Sequence, residues 1–304
     1  MPYYYRVHGL TIDSDIELAE LPSAVNPSAL DVTIRIGNVA GDSGSPGCWV
    51  VDGYEVKGRS ALFEIAGTGR YLARDGQNIV VDPLPQADPG AVRLYLLGSA
   101  LGAILHQRGL VPLHASAFER NGVCAGFLGH SGAGKSTLAA MLMRRGYRLV
   151  SDDVMVIREN SFGAIVAVPG VPLLKLWPDS LALAGLGASV AQIDTPDDSK
   201  LRLEVKGQFE THDVPLRNLY VLRWMSPESG SPELVPLPKF SAMMMLRQNV
   251  YRPSLIDAFG SERAFLTFAS RLIPQVSMFE FHRSMRITEA EEQVDTLLEH
   301  LQNN

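Results

Sequence analysis

At 304 residues the chain can hold two domains, or one large α/β domain with an appendage, and with 46% hydrophobic and 20% charged residues it is not a disordered, collagen-like or coiled-coil chain. Acids exceed bases by 33 to 27, a formal charge of −6, and no run of five or more Lys or Arg occurs. A nucleic-acid partner is therefore disfavoured, because phosphate-backbone binding needs a clustered basic surface. Cys48 and Cys124 form no CxxC or Cys/His spacing, which points to buried thiols rather than a disulfide framework or a zinc site. The longest apolar run, 94–105, is about half the ~20 residues a membrane helix needs, so no membrane span is expected. The N-terminus lacks the basic start and apolar stretch of a signal peptide, and the default location is the cytoplasm.

In chain order, β-type segments at 3–7, 32–36, 61–66 and 78–81 alternate with turn-rich stretches such as 41–47, which predicts a small, mainly β domain over 1–88. Pro83, Pro85 and Pro89 make 82–90 a linker. The second domain is placed at 89–304. It opens with a helix over 91–107, whose Leu94, Leu97, Leu101 and Leu105 recur at spacings of three and four. Strands at 113–118 and 123–128 follow, joined by a hairpin turn at Asn121-Gly122. A glycine-rich loop, a helix over 135–145 and a strand over 148–157 complete a βαβ-type order. Further strands are predicted at 166–168, 220–222 and 276–281, and helices near 178–186, 240–248, 254–272 and 288–302.

The loop Gly129-His130-Ser131-Gly132-Ala133-Gly134-Lys135-Ser136, followed by Thr137, fits G-x-x-x-x-G-K-[ST] between an apolar strand and a helix. Glycines there let backbone N–H groups wrap a phosphate chain, Lys135 neutralises its outer oxygens, and Ser136 can ligate Mg²⁺. Ser151-Asp152-Asp153 lies at a strand end, where α/β sheets place ligands. One carboxylate there can hold a metal, and the second can accept a proton from an attacking hydroxyl. His114 sits inside an apolar strand, a position that more often belongs to a satisfied core residue. Lys175 is a candidate cation beside the transferring phosphoryl group, and 197–202 is a charged loop whose alternative is a lid carrying Lys200 or Arg202. Met243-Met244-Met245 reads as helix core.

Taken together, 113–157 resembles the core of the HPr kinase/phosphorylase family: a strand histidine, a hairpin, a G-x-S-G-x-G-K-S loop and an acidic pair. The resemblance implies a P-loop α/β kinase domain, also similar to the phosphoenolpyruvate carboxykinase nucleotide domain, preceded here by the small β domain. It implies ATP and Mg²⁺ as cofactors and a serine on a protein as acceptor. Carried over, Asp152 is the general base, His114 orients it, and Asp153 joins Ser136 at the metal, with the division of labour inside the pair left open. Thr137 stands where bifunctional members carry Glu, and the glycine-rich signature loop after the acidic pair has no counterpart here, so neither the phosphorylase activity nor HPr as substrate follows. The stretch 169–179 and the N-terminal region resemble lasso-peptide precursor kinases, which implies a precursor-peptide serine as acceptor. A regulatory ATPase without an acceptor, HPr kinase proper and a small-molecule kinase are the other readings. The sequence leaves association into homo-oligomers open.

Overall fold

The structure, a computed structural model, describes residues 2–25, 27–41, 46–184, 191–193, 201–225, 231–284 and 286–303. The first eight strands are β1 (Tyr3–Val7), β2 (Leu10–Ser14), β3 (Val32–Ile36), β4 (Trp49–Val51), β5 (Tyr54–Lys57), β6 (Ser60–Ile65), β7 (Gly69–Arg74) and β8 (Asn78–Pro83). They form one sheet in the order β1-β2-β3-β8-β7-β6-β5-β4. Period-two alternation buries Tyr71 and Ala73 from β7, and Ile79 and Val81 from β8, on one face.

Helix α1 (Pro89–Tyr95), capped by the Asp88 carboxylate on the Ala91 N–H, continues through a π-helical turn at Leu96–Ala100 into α2 (Leu101–Gln107). The sequence assigns this segment to the second domain. In the structure Val92, Leu96, Leu101 and Leu105 share one core with the inner face of the first sheet, and Val154, Val156, Val168 and Leu255 extend that core into the rest of the chain. Bonds from the His8 N–H to Pro169 O (2.9 Å) and from Arg93 Nε to the Glu20 carboxylate (2.8 Å) add to the join.

The remaining elements are β9 (Ala115–Arg120), β10 (Val123–Leu128), α3 (Lys135–Arg144), β11 (Arg148–Ser151), β12 (Val156–Glu159), β13 (Ile165–Val168), β14 (Leu173–Leu176), α4 (Pro178–Ala184), β15 (Ala191–Ile193), β16 (Leu201–Glu204), β17 (Val214–Trp224), β18 (Glu233–Pro236), α5 (Lys239–Gln248), α6 (Ser254–Ala258), α7 (Glu262–Leu272), β19 (Ser277–Arg283) and α8 (Ala290–Asn303). Strand β10 pairs in parallel with β17, and β17 in parallel with β19. Strand β9 lies antiparallel between β10 and β11, so β10, β11, β17 and β19 all point the same way. Their carboxyl ends, together with the start of β9, therefore meet at one edge of the sheet, where open α/β sheets bind ligands. Helix α3 is buried on both sides. Leu138, Met141 and Leu142 face β9, β10 and α8, while Ala139, Ala140 and Met143 face the small sheet β14-β16-β15.

The Asn121-Gly122 turn has φ of +56° and +79°, the two left-handed residues a two-residue hairpin needs. The single helix expected over 254–272 is two, α6 and α7, parted at Gly260 (φ +62°). The strand expected over 148–157 is also two, broken at the acidic pair. Cys48 is half-buried and Cys124 buried, and both are free thiols. No helix among the described residues is long and apolar enough to cross a membrane.

Candidate functional site

The glycine-rich loop leaves β10 at Leu128 and enters α3 at Lys135. Gly132 and Gly134 have φ of +84° and +83°, a conformation L side chains rarely adopt, and a Cβ on Gly134 would also collide with the Arg283 guanidinium. Helix α3 has no side-chain N-cap, so its first N–H groups and the positive end of its dipole face the loop. Lys135 is buried, with Nζ donating to Gly129 O (2.6 Å) and His130 O (3.1 Å).

The two acids have different partners. Asp152 is buried and accepts from the Ser136 hydroxyl (3.0 and 3.1 Å), from the Lys175 backbone N–H (3.0 Å) and, through a short bond, from the Ser116 hydroxyl. Asp153, at φ +74°, takes the Lys175 ammonium at 2.7 Å and His114 Nδ1 at 3.1 Å. Burial opposes ionisation of Asp153, but Lys175 and His114 outweigh it and hold the carboxyl well below the usual carboxylate range. In return Asp153 holds up the Lys175 ammonium, which burial alone would push down. Tyr251 stands beside them, its ring centroid 6.3 Å from that of His114, and burial followed by the Asp153 charge raises its hydroxyl.

Three cavities meet here. A cleft of about 240 Å³ is lined by the glycine-rich loop, both acids, Lys175, Trp177, Trp224 and Arg283. A second, of about 470 Å³, is bounded by His130, Arg223, Asn249, Tyr251 and Arg252. His114 lines both. Beneath the acids a pocket of about 40 Å³ is closed by His8, Glu20 and Arg202.

No family model matches the chain, and no curated protein matches its sequence. Among solved structures, the Hpr(Ser) kinase/phosphatase from Coxiella burnetii is similar over 63% of this chain and 97% of its own, at 12% identity and a TM-score of 0.33. That likeness is distant and does not extend to the lasso-peptide subgroup.

The structure thus gathers His114, Ser131, Gly132, Gly134, Lys135, Ser136, Thr137, Asp152, Asp153 and Lys175 around one cleft, with His130 on the second cavity. The Thr137 hydroxyl is occupied by Ser180 of α4 (3.0 Å). The sequence expectation pairs Ser136 with Asp153 at a metal; in the structure Ser136 is bonded to Asp152, and Asp153 faces His114 and Lys175. Arg202 is buried in β16, opposite Lys175, and does not reach over the cleft as a lid. Asp197, Asp198, Ser199 and Lys200 lie outside the described residues. Sequence reasoning missed Ser116, Tyr251, Trp224 and Arg283. The last two end β17 and β19, so the strand-end rule that found Asp152 applies to them once those strands are extended to their true ends.

A hydroxyl beside a carboxylate is an oxygen donor set of the kind Mg²⁺ takes. The left-handed glycines, the open helix end and Lys135 form a cradle of donors suited to a phosphate chain. The residues present fit both groups.

Proposed function

We propose that this chain is an ATP-dependent kinase that phosphorylates a serine on a protein or ribosomally made precursor peptide. The observation that carries this reading is His114, which lines two cavities at once and holds the Asp153 carboxylate in the first of them. A regulatory ATPase needs the loop, Ser136 and Asp152, but has no use for a second carboxylate in the same cleft, oriented by a histidine that also borders a second cavity.

In this mechanism the open end of α3 and Lys135 bind the phosphate chain, and Ser136 with Asp152 hold the metal. Bound Mg²⁺·ATP supplies the transferable phosphoryl group and neutralises its charge. Asp153 receives the acceptor hydroxyl in the cleft it lines with His114, orients it and takes its proton, while His114 fixes the carboxylate. The roles of the two acids are thus the reverse of those the family resemblance implies. A carboxylate held as low as Asp153 is a weak base. A loose phosphoryl-transfer transition state asks mainly for positioning, which such a group provides.

The test is incubation of the full chain with γ-labelled ATP and small proteins or peptides bearing serine, read by mass spectrometry. Serine phosphate and stoichiometric ADP are expected, with loss of transfer in Asp153→Asn. Hydrolysis to free phosphate that is indifferent to every acceptor and unchanged in Asp153→Asn would establish the regulatory ATPase instead.

A further inference from the structure

Arg283 ends β19 beside Trp224, its register partner on β17, and only 4% of it is exposed. Its guanidinium packs 4.2 Å from the centroid of the Trp224 ring. One terminal nitrogen bonds Gln293 Oε1 (3.1 Å), the other bonds the Ala133 carbonyl inside the glycine-rich loop, and Nε has no partner. Among the described residues these neighbours are an amide, a carbonyl and an indole face, with no carboxylate. Burial with no opposing charge pushes Arg283 down to about 9, against 12.5 for an ordinary guanidinium. Arg283 is thus a desolvated positive charge that no described residue neutralises, a costly arrangement which a cation–π contact offsets only in part. The guanidinium lines the same cleft as Lys135 and packs so closely on Gly134 that no side chain fits there.

We propose that Arg283 is a phosphate-binding residue, its guanidinium supplying, opposite Lys135, a second fixed cation for the polyphosphate chain of the bound nucleotide. The inference rests on the nucleotide reading above and adds a contact from a strand more than a hundred residues beyond the loop. Guanidinium geometry suits the site. Two phosphate oxygens can be met by a planar fork already anchored at the loop carbonyl, so little side-chain freedom is lost on binding.

The experiment measures tripolyphosphate and Mg²⁺·ATP binding by calorimetry for the native chain and for Arg283→Met, with folding checked by a cooperative thermal transition. Both affinities are expected to fall about ten- to hundredfold in Arg283→Met, the size of a lost charge-assisted contact. A second readout uses the native protein. The arginine Nε–Hε resonance that disappears in Arg283→Lys should shift as tripolyphosphate is added, whatever the folding of the methionine variant. A folded Arg283→Met that binds both ligands within twofold of native, or a resonance that stays put at saturation, overturns the proposal and leaves the nucleotide reading standing. Failure of the native chain to bind either ligand removes the nucleotide reading itself.

Discussion

Exchanging each acid for its amide separates metal binding from chemistry. Asp152→Asn replaces one of two oxygens that together accept from Ser116, Ser136 and the Lys175 N–H. The two hydroxyls can reverse and accept from the new amide, so the fold should lose only about 1–3 kcal/mol, the range for a charge-assisted bond made neutral. The missing charge matters more to a cation, and the Mg²⁺-dependent part of nucleotide affinity should weaken at least about tenfold, or ~1.4 kcal/mol. Asp153→Asn leaves Ser136 and Asp152 untouched. Mg²⁺·ATP affinity should stay within about threefold while kcat falls by roughly 10²–10⁴, as when acid–base assistance is lost. Calorimetry with and without Mg²⁺, beside single-turnover transfer, reads both quantities. If Asp153→Asn loses the Mg²⁺-dependent affinity and Asp152→Asn keeps it, the geometric assignment is wrong.

Lys135→Ala should abolish detectable nucleotide binding yet retain a cooperative melt, since the ammonium donates to two loop carbonyls that water can satisfy; native-like turnover in the folded variant would exclude the loop from the mechanism. Burial holds His8 and His106 at about 4, so between their ordinary value near 6.5 and that point the unfolded chain binds protons the native chain refuses. Stability should fall with acid across this window by up to about 3 kcal/mol per histidine, and Asp153, held low in the native chain, adds a loss of the same sign only toward the lower end, where the unfolded chain begins to protonate it. Urea midpoints that stay flat from pH 7 to about 5 would contradict this. A fragment of 89–304 bares the α1–α2 face, including Val92, Leu96, Leu101 and Leu105. At about 1.5–3 kcal/mol per side chain, that loss is comparable to a whole domain's stability. The fragment should aggregate or lack near-ultraviolet circular dichroism, and a monomeric, cooperatively melting fragment would show that the first core is dispensable.

Local chemistry made part of this legible in advance. The loop was readable because left-handed glycines, an apolar strand before them and a helical pattern after them are all short-range signals, and the Asn121-Gly122 turn declared itself in the same way. The attachment of α1 and α2 was not, since an amphipathic helix shows that it has a buried face but not which sheet covers it. Arg283 and Trp224 reach the cleft only through the parallel pairing of β17 with β19, a long-range register that no window of sequence contains.

The acids show most sharply where local reading stops. Successive strand residues point to opposite faces, so counting along 148–153 ought to say which carboxylate meets α3. The count fails because β11 is irregular: Leu149 pairs with Phe118 and Ser151 with Ala117, two residues against one, leaving Val150 as the extra residue of a bulge. One inserted residue shifts the alternation at Ser151, where β11 ends, and the positive φ at Asp153 turns the chain again. Asp152 is thereby set against Ser116 and Ser136, and Asp153 against His114 and Lys175. Both acids lie past the last residue of β11, after a bulge and at a left-handed turn, which is why a parity argument from sequence cannot assign their roles and the bonds of the folded site can.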